Sequence, residues 1–350
     1  MRLTYLPIHN FQSIRSMEIR DIDRALIFVG KNNTGKTSIL DAVCAVCGCY
    51  EIQDRDFNEN RQAIRIDACF SIEEEDLHLF HHMGIVSQYR RYDVWRRVFS
   101  ERLPSFKDGE LSFTLHVNQD GKVRYEDLYR KNNPYIHMVM PRIYRINAER
   151  ELNQLQNDLL MFQEDEELRR LRSGSCIFER AKKCNHCFQC IGLINQKKPE
   201  ELSAFETARL LEFKIYQLNL IGFSRKVNEN FFKNGGYEEI QYTLNFDADQ
   251  LFTVEVTAHN RQRGSVKPVE LMGKGMRSIY MLSLLETYIS EQGRIPSIIV
   301  VEDPEIFLHP QLQKSCSEIL YRLSKKNQVI FKTHSPDLLF NFSIRQIRQG

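Results

Sequence analysis

Two periodicities divide the chain. From Leu3 to Ile19 the apolar positions predict a β-hairpin, and the unbroken apolar run Ala25-Leu26-Ile27-Phe28-Val29 predicts a buried strand behind it. Ser38-Ile39-Leu40-Asp41-Ala42-Val43 then turns helical. Alternating strands follow at Ile64-Ile66-Ala68-Phe70 and Leu111-Phe113-Leu115-Val117, the second closing at Asp120-Gly121, a hairpin signal. The charged stretch 73–103 between them predicts helix, and Tyr135 to Ile146 predicts a strand that ends the first lobe.

Beyond residue 150 the spacing changes. Leu152, Leu155, Leu159 and Phe162 keep helical spacing, as do Leu211, Ile215 and Leu218, with Pro199-Glu200-Glu201 as a helix start. Two helices flanking residues 173–198 predict a helical hairpin with an elaborated tip. From Tyr237 the β pattern resumes, with Ile240, Tyr242, Leu244 and Phe246, then Phe252, Val254 and Val256. Helix 276–289, strand 297–301, helix 310–325 and strand 328–333 follow, and Ser343-Ile344-Arg345 starts a last strand. The expected organisation is an α/β chain with a first lobe at 1–150, an inserted helical hairpin at 151–235, and a second lobe at 236–350.

Composition narrows the class. With 350 residues and 42% hydrophobic content the chain can bury a sizeable core. No stretch reaches the length of a membrane span and the N-terminus lacks a signal-peptide pattern, so a cytoplasmic protein with no membrane partner is expected. A net charge of +2 does not announce a nucleic-acid binder, so any basic surface must be local. Nine cysteines in such a chain argue for buried thiols or metal ligands rather than a disulfide scaffold.

The chemistry concentrates between the predicted strand at 25–29 and the helix after it. Gly30-Lys31-Asn32-Asn33-Thr34-Gly35-Lys36-Thr37 is a complete phosphate-binding loop in its required strand–loop–helix setting. Backbone N–H groups and the helix N-terminus would hold phosphates, Lys36 would add a point charge, and the Thr37 hydroxyl would ligate Mg²⁺. Gly30, Asn32, Asn33, Thr34, Gly35, Lys36, Thr37 and Ser38 are therefore candidates for binding ATP. Such a loop needs acids on a neighbouring strand. Ile298-Ile299-Val300-Val301-Glu302-Asp303 supplies Glu302 for the Mg²⁺ side and Asp303 to polarise the attacking water. The buried run Gln328-Val329-Ile330-Phe331-Lys332-Thr333 ends at His334, which would reach the γ-phosphate or that water.

Asn10-Phe11-Gln12-Ser13-Ile14, the phosphate loop, Met272-Gly273-Lys274-Gly275-Met276-Arg277-Ser278, Val301-Glu302-Asp303-Pro304-Glu305-Ile306-Phe307-Leu308-His309-Pro310 and Thr333-His334-Ser335-Pro336 stand in one order. That series resembles the ABC-type ATPase head, and more closely the SMC/RecF-like and OLD-family ATPases of DNA repair and antiphage defence. The resemblance covers the chain except roughly 150–235, and it implies a P-loop NTPase head of ABC/SMC type. Its sheet would be mixed, with a flanking antiparallel β lobe. It also implies that Gly273, Lys274 and Gly275 reach the nucleotide of a partner subunit, making a homodimer that sandwiches two ATP molecules. Asn147-Ala148-Glu149-Arg150 resembles a family segment, with Arg150 as a weaker candidate. Two departures stand out. Gln12 occupies a place where family members often carry Arg, leaving Arg15 as the substitute contact. Asp303 replaces a Glu common in fast ATPases, so a shorter base predicts slow turnover.

Cys176, Cys184, Cys187 and Cys190 form C-x7-C-x2-C-x2-C at the expected hairpin tip. Four thiols suit tetrahedral Zn²⁺, while the x2 spacing suits a [4Fe–4S] cluster, and the spacing does not separate the two. Arg180, Lys182, Lys183, Lys197 and Lys198 with Phe178 and Phe188 make this tip either a DNA contact or a solvated basic loop. Cys44, Cys47, Cys49, Cys69 and Cys316 read as core. The run Arg90-Arg91-Tyr92-Asp93-Val94-Trp95-Arg96-Arg97 is the densest basic–aromatic stretch, an exposed amphipathic helix or a DNA contact.

The expected function is an ATP-hydrolysing, ATP-gated dimer acting on DNA in repair or defence. The alternative is a regulatory ATPase subunit that controls a partner protein without touching DNA. OLD-type proteins usually continue into a metal-dependent nuclease domain after the position of Gly350. Nuclease activity is therefore not expected of these residues; either they are part of a longer protein or the effector is a separate chain.

Overall fold

The structure, a computed structural model, describes residues 1–30, 35–59, 62–147, 176–178, 187–217, 221–233, 239, 256–260, 264–291 and 296–349. The chain forms two compact units, Met1–Gln156 with Ala258–Gly350, and Asn157–Thr257. The elements begin with β1 (Arg2–Phe11), β2 (Ile14–Ile19), β3 (Ala25–Val29), α1 (Lys36–Val46), β4 (Ile64–Ser71), α2 (Glu74–His82) and α3 (Tyr92–Arg102). Next come β5 (Phe106–Lys107), β6 (Glu110–Val117), β7 (Val123–Glu126), α4 (Tyr135–Val139) and β8 (Arg142–Ile146). The remainder is α5 (Ile191–Ile194), α6 (Ala204–Gln217), α7 (Ile221–Lys233), β9 (Thr257–Asn260), β10 (Ser265–Pro268), α8 (Lys274–Glu291), β11 (Ser297–Glu302), α9 (Pro310–Lys326), β12 (Gln328–Thr333) and β13 (Ile347–Gln349).

Two sheets enclose α1. The first is antiparallel, in the order β2-β1-β4-β6-β5 with β7 also on β6. The second runs β13-β3-β12-β11-β8, and each of its pairs is parallel. A parallel strand covered on both faces reads as a continuous apolar run, which is why Ser297–Glu302 is buried along its whole length. The α1 helix is buried nearly all round, from Lys36 and Ser38 to Val46. It packs on β1 and β4 from one side and on β12 from the other. Leu40, Val43, Phe70, Val300 and Ile330 join one apolar cluster that spans both sheets. Each such side chain contributes about 1.5–3 kcal/mol of burial energy. Gln328 pins the sheets together at the opposite end: its amide accepts from Leu3 N at 2.9 Å and donates to Leu3 O at 2.7 Å.

Local chemistry overrules periodicity at several places. The expected strand at Tyr135–Ile146 begins as helix α4, because Asn133 Oδ1 accepts from Tyr135 N at 3.0 Å. Pro141 ends that turn, and only Arg142–Ile146 is strand. The 73–103 stretch is two helices, broken where Gly84 takes φ 66°. In the second unit Pro199–Glu201 makes a single tight turn, and α6 starts after a reciprocal Ser203/Glu206 cap with bonds of 3.1 and 3.2 Å. Its inward face carries Phe205, Leu210 and Phe213; Leu211, expected inside, is 44% exposed. Ile344–Gln346 is a turn, and the last strand is Ile347–Gln349, parallel to β3. The expected elements at 152–162 and 240–255 lie outside the described residues.

Candidate nucleotide site

The carboxyl ends of β3, β11 and β12 meet the N-terminus of α1. Gly30 and Gly35 bracket the phosphate loop, and Gly35 takes φ 83°, a left-handed conformation that glycine enters without strain. Lys31, Asn32, Asn33 and Thr34 lie outside the described residues. Lys36, the first residue of α1, folds its ammonium back to Gly30 O at 3.0 Å. Burial lowers its pKa, and the positive charge of Lys332 adds to that effect. Ser38 is buried, its hydroxyl hydrogen-bonded to that of Ser13 at 3.1 Å, which ties the start of α1 to the β1–β2 turn.

Parallel pairing sets Glu302 beside Lys332 in register, and β12 continues to Thr333 and His334. The Lys332 ammonium is a cation at the centre of the expected metal position. It donates to Thr37 Oγ1 at 2.8 Å and lies 3.5 Å from Glu302 Oε2 and 3.2 Å from Asp303 Oδ2. A hydroxyl and carboxylate oxygens converging on one cation are the donor set that suits Mg²⁺. Thr37 and Glu302 would hold that metal, which would neutralise phosphate charge when bound. His334 Nε2 stands 3.9 Å from Asp303 Oδ1, while its backbone N–H donates to Glu305 Oε1 at 2.5 Å. Asp303 itself has φ 42°, a conformation Asp tolerates better than most residues. A cleft of about 410 Å³ beside these groups is lined by Val29, Gly30, Thr333, His334, Ser335, Pro336 and Leu339.

Three participants were not singled out from sequence. Arg145, on β8, bridges Asp41 of α1 and Glu302 of β11, each at 2.6 Å through Nη2. Burial works against its charge, yet the hydrogen bond to Glu302 and the neighbouring acids raise its pKa above the ordinary arginine value. Asp41 and Lys332 had a signal, since each is a charged residue inside an apolar run. Gln12 is not a free nucleotide contact: its Nε2 lies 3.0 Å from Asp41 Oδ2, 3.1 Å from Tyr50 OH and 3.0 Å from Asp56 Oδ1. Arg15 is exposed on β2, and Arg150 lies outside the described residues.

Gly273, Lys274 and Gly275 begin α8, as expected for a segment that offers a helix N-terminus. Their described contacts are with the turn after β11 rather than with Lys36. A Cβ on Gly275 would stand 2.4 Å from Phe307 O, so close approach of backbone demands glycine there. Lys274 Nζ lies 4.5 Å from the Phe307 ring centroid. Around Gly273 no heavy atom of the described residues lies within 4 Å of an added Cβ.

The described residues cover only part of the cysteine segment, and Arg180, Lys182 and Lys183 lie outside them. Cys184 lies outside the described residues. Cys190 is 4% exposed and packs with Ile191 and Ile194, while Cys176 and Cys187 are half-buried. Among the described residues no group of three or more His, Cys, Asp or Glu converges to hold a metal. Helix α3 turns Trp95 and Phe99 into the core, places Arg96 over the Phe106 ring at 4.9 Å, and pairs Arg91 with Asp93 at 2.6 Å. Its aromatic residues are thus spent on packing.

A parallel sheet whose strand β3 leads into the phosphate-loop sequence, acids at the end of β11 one strand further across, and a flanking antiparallel sheet define an ATPase head of ABC type. The profile of the AAA ATPase domain matches residues 1–339, and the chain belongs to that family. An OLD nuclease of Thermus scotoductus is 30% identical over 78 residues, 22% of this chain and 15% of that protein. An OLD nuclease of Escherichia phage P2 is 29% identical over 143 residues, 37% of this chain and 23% of that protein. The matches thus span less than a quarter of either relative. An Smc head domain with an extended coiled coil, bound to the C-terminal domain of ScpA derived from Pyrococcus furiosus, superposes with a TM-score of 0.51. It is 15% identical over 97% of this chain and 91% of that one, a likeness of fold. The chain is an SMC- and OLD-like ATPase head.

Proposed function

We propose that the chain binds ATP with Mg²⁺ at Gly30–Ser38 and hydrolyses it, with Glu302 on the metal side and Asp303 as the group that orients water. The observation that carries this reading is the convergence of Lys36, Thr37, Glu302 and Asp303 around Lys332 at the carboxyl ends of β11 and β12. His334 belongs to the same edge and would sense the terminal phosphate. Gly273, Lys274 and Gly275 of a second copy would complete the site, so that ATP closes a dimer and hydrolysis opens it. Among the described residues nothing lies within 4 Å of a Cβ added at Gly273, which fits a segment that meets a partner. A fluorescent ATP analogue and a phosphate-release assay test the proposal. Lys36→Ala is expected to abolish binding, and Asp303→Asn to retain binding while losing turnover. Normal hydrolysis by Asp303→Asn would assign the base elsewhere.

The partial matches to two OLD nucleases favour a role on nucleic acid, for which repair or antiphage defence is the setting we propose. The inward-facing aromatics of α3 favour the second reading, a regulatory ATPase that controls a partner or a further effector domain. Retardation of DNA that requires ATP and weakens on Arg97→Ala decides for the first; its absence decides for the second. The metal expected at Cys176, Cys184, Cys187 and Cys190 gains no support from the described residues and is left out of this function.

A further inference from the structure

We propose that Lys332 is a built-in counter-ion that occupies the divalent cation's position in the nucleotide-free chain, so that the metal loads only with the nucleotide. Resting on the ATP·Mg²⁺ reading above, the inference concerns the order in which the site is filled. Lys332 is the only charged residue in a strand that otherwise reads Gln328-Val329-Ile330-Phe331 and Thr333. Its place is set by the backbone, because β12 pairs with β3 on one side and with β11 on the other. The ammonium therefore meets Thr37 Oγ1 at 2.8 Å, Glu302 Oε2 at 3.5 Å and Asp303 Oδ2 at 3.2 Å, with 13% of the side chain exposed.

Two of those oxygens, on Thr37 and Glu302, are the ones a metal would use. Two cations a few ångströms apart in a partly buried site repel strongly, and the charge of Lys332 is already felt at Lys36. A free divalent ion therefore has to displace the ammonium before it can reach Thr37 and Glu302. A nucleotide changes the balance, because its phosphates bring negative charge that both cations can share. The chain's own cations compensate these acids: Arg145 serves Asp41 and Glu302, and Lys332 serves Glu302 and Asp303.

Mn²⁺ binding to the nucleotide-free chain, read from the loss of the free-ion paramagnetic resonance signal, tests this directly. Wild type is expected to bind weakly. Lys332→Met and Lys332→Gln are expected to bind at least about tenfold more tightly, since each removes a competing cation. Lys332→Arg is expected to stay at the wild-type level, and adding Glu302→Gln to Lys332→Met should cancel the gain. Equal affinity in wild type and both neutral variants overturns the proposal, as does a gain that survives Glu302→Gln. Tight Mn²⁺ binding by the nucleotide-free wild type overturns it without any variant. A fluorescent ATP analogue is titrated in parallel. Failure of wild type to bind it refutes the nucleotide site itself, whereas normal binding with unchanged Mn²⁺ affinities refutes only the role of Lys332.

Discussion

Replacing Arg145 with Met tests whether the ion bridge between α1 and β11 holds the ATPase head together. The substitution keeps an apolar, unbranched stem and removes the charged guanidinium. Asp41 and Glu302 are 9% and 10% exposed in their side chains, and both lie 2.6 Å from the guanidinium Nη2. Breaking a buried pair by removing one partner costs about 3–5 kcal/mol. Arg145 is 30% exposed, so water screens part of that interaction and the expected loss falls to about 2–3 kcal/mol. Urea unfolding followed by tryptophan fluorescence measures it cleanly. Trp95 is the only tryptophan in the chain and is fully buried in α3, within the unit that holds the bridge. With a denaturant slope of about 3 kcal/mol/M, the midpoint should fall by about 0.7–1 M. A double-mutant cycle with Asp41→Asn should show coupling of about 1 kcal/mol or more. A midpoint shift under about 0.2 M, or strict additivity in the cycle, would refute the argument that this bridge fastens the helix to the strand.

Two further perturbations separate demands made inside the chain from demands made by ligands. Gly275→Ala places a Cβ 2.4 Å from Phe307 O and should lower the same unfolding midpoint by the equivalent of about 1–3 kcal/mol. Gly273→Ala meets no atom of the described residues within 4 Å and should change stability by less than about 0.5 kcal/mol, yet weaken the ATP-dependent dimerisation proposed above, read by light scattering; an unimpaired dimer would remove Gly273 from the interface. Nucleotide affinity should also depend on pH through Lys36, whose pKa lies below the usual 10.5 because of burial and then the charge of Lys332. A bound phosphate raises that pKa again, so affinity is full below the lowered value and falls by up to about tenfold per pH unit above it. The folding contribution has the opposite sign: the unfolded chain binds this proton more tightly, so the burial cost is present at lower pH and fades as pH rises toward 10.5. Titrations of a fluorescent nucleotide at increasing pH check the first effect, and a flat profile would count against Lys36 as the phosphate contact.

The parts of this molecule that were legible in sequence share one property: their chemistry is contiguous. The helix start at Lys36, the acids at the end of β11 and the buried strands each carry their signal within a few residues, since burial on both faces forces an unbroken apolar run. Arg145 and Lys332 are different, because their roles come from strand order. Only when β8 lies beside β11, and β11 beside β12, does Val300 oppose Arg145 and Glu302 oppose Lys332. Periodicity also failed where a local side-chain hydrogen bond outbid it, as in the Asn133–Tyr135 turn before α4 and at Ser203 before α6. Charged residues within apolar runs were the overlooked clue. Asp41 in the buried face of α1 and Lys332 in β12 each imply a partner of opposite sign, because an unpaired charge there would be too costly. Pairing them in thought, acid of the helix to a base on one flanking strand and base of the other strand to the acids between, reconstructs the bridge and the occupied cation position from sequence once the strand order is known.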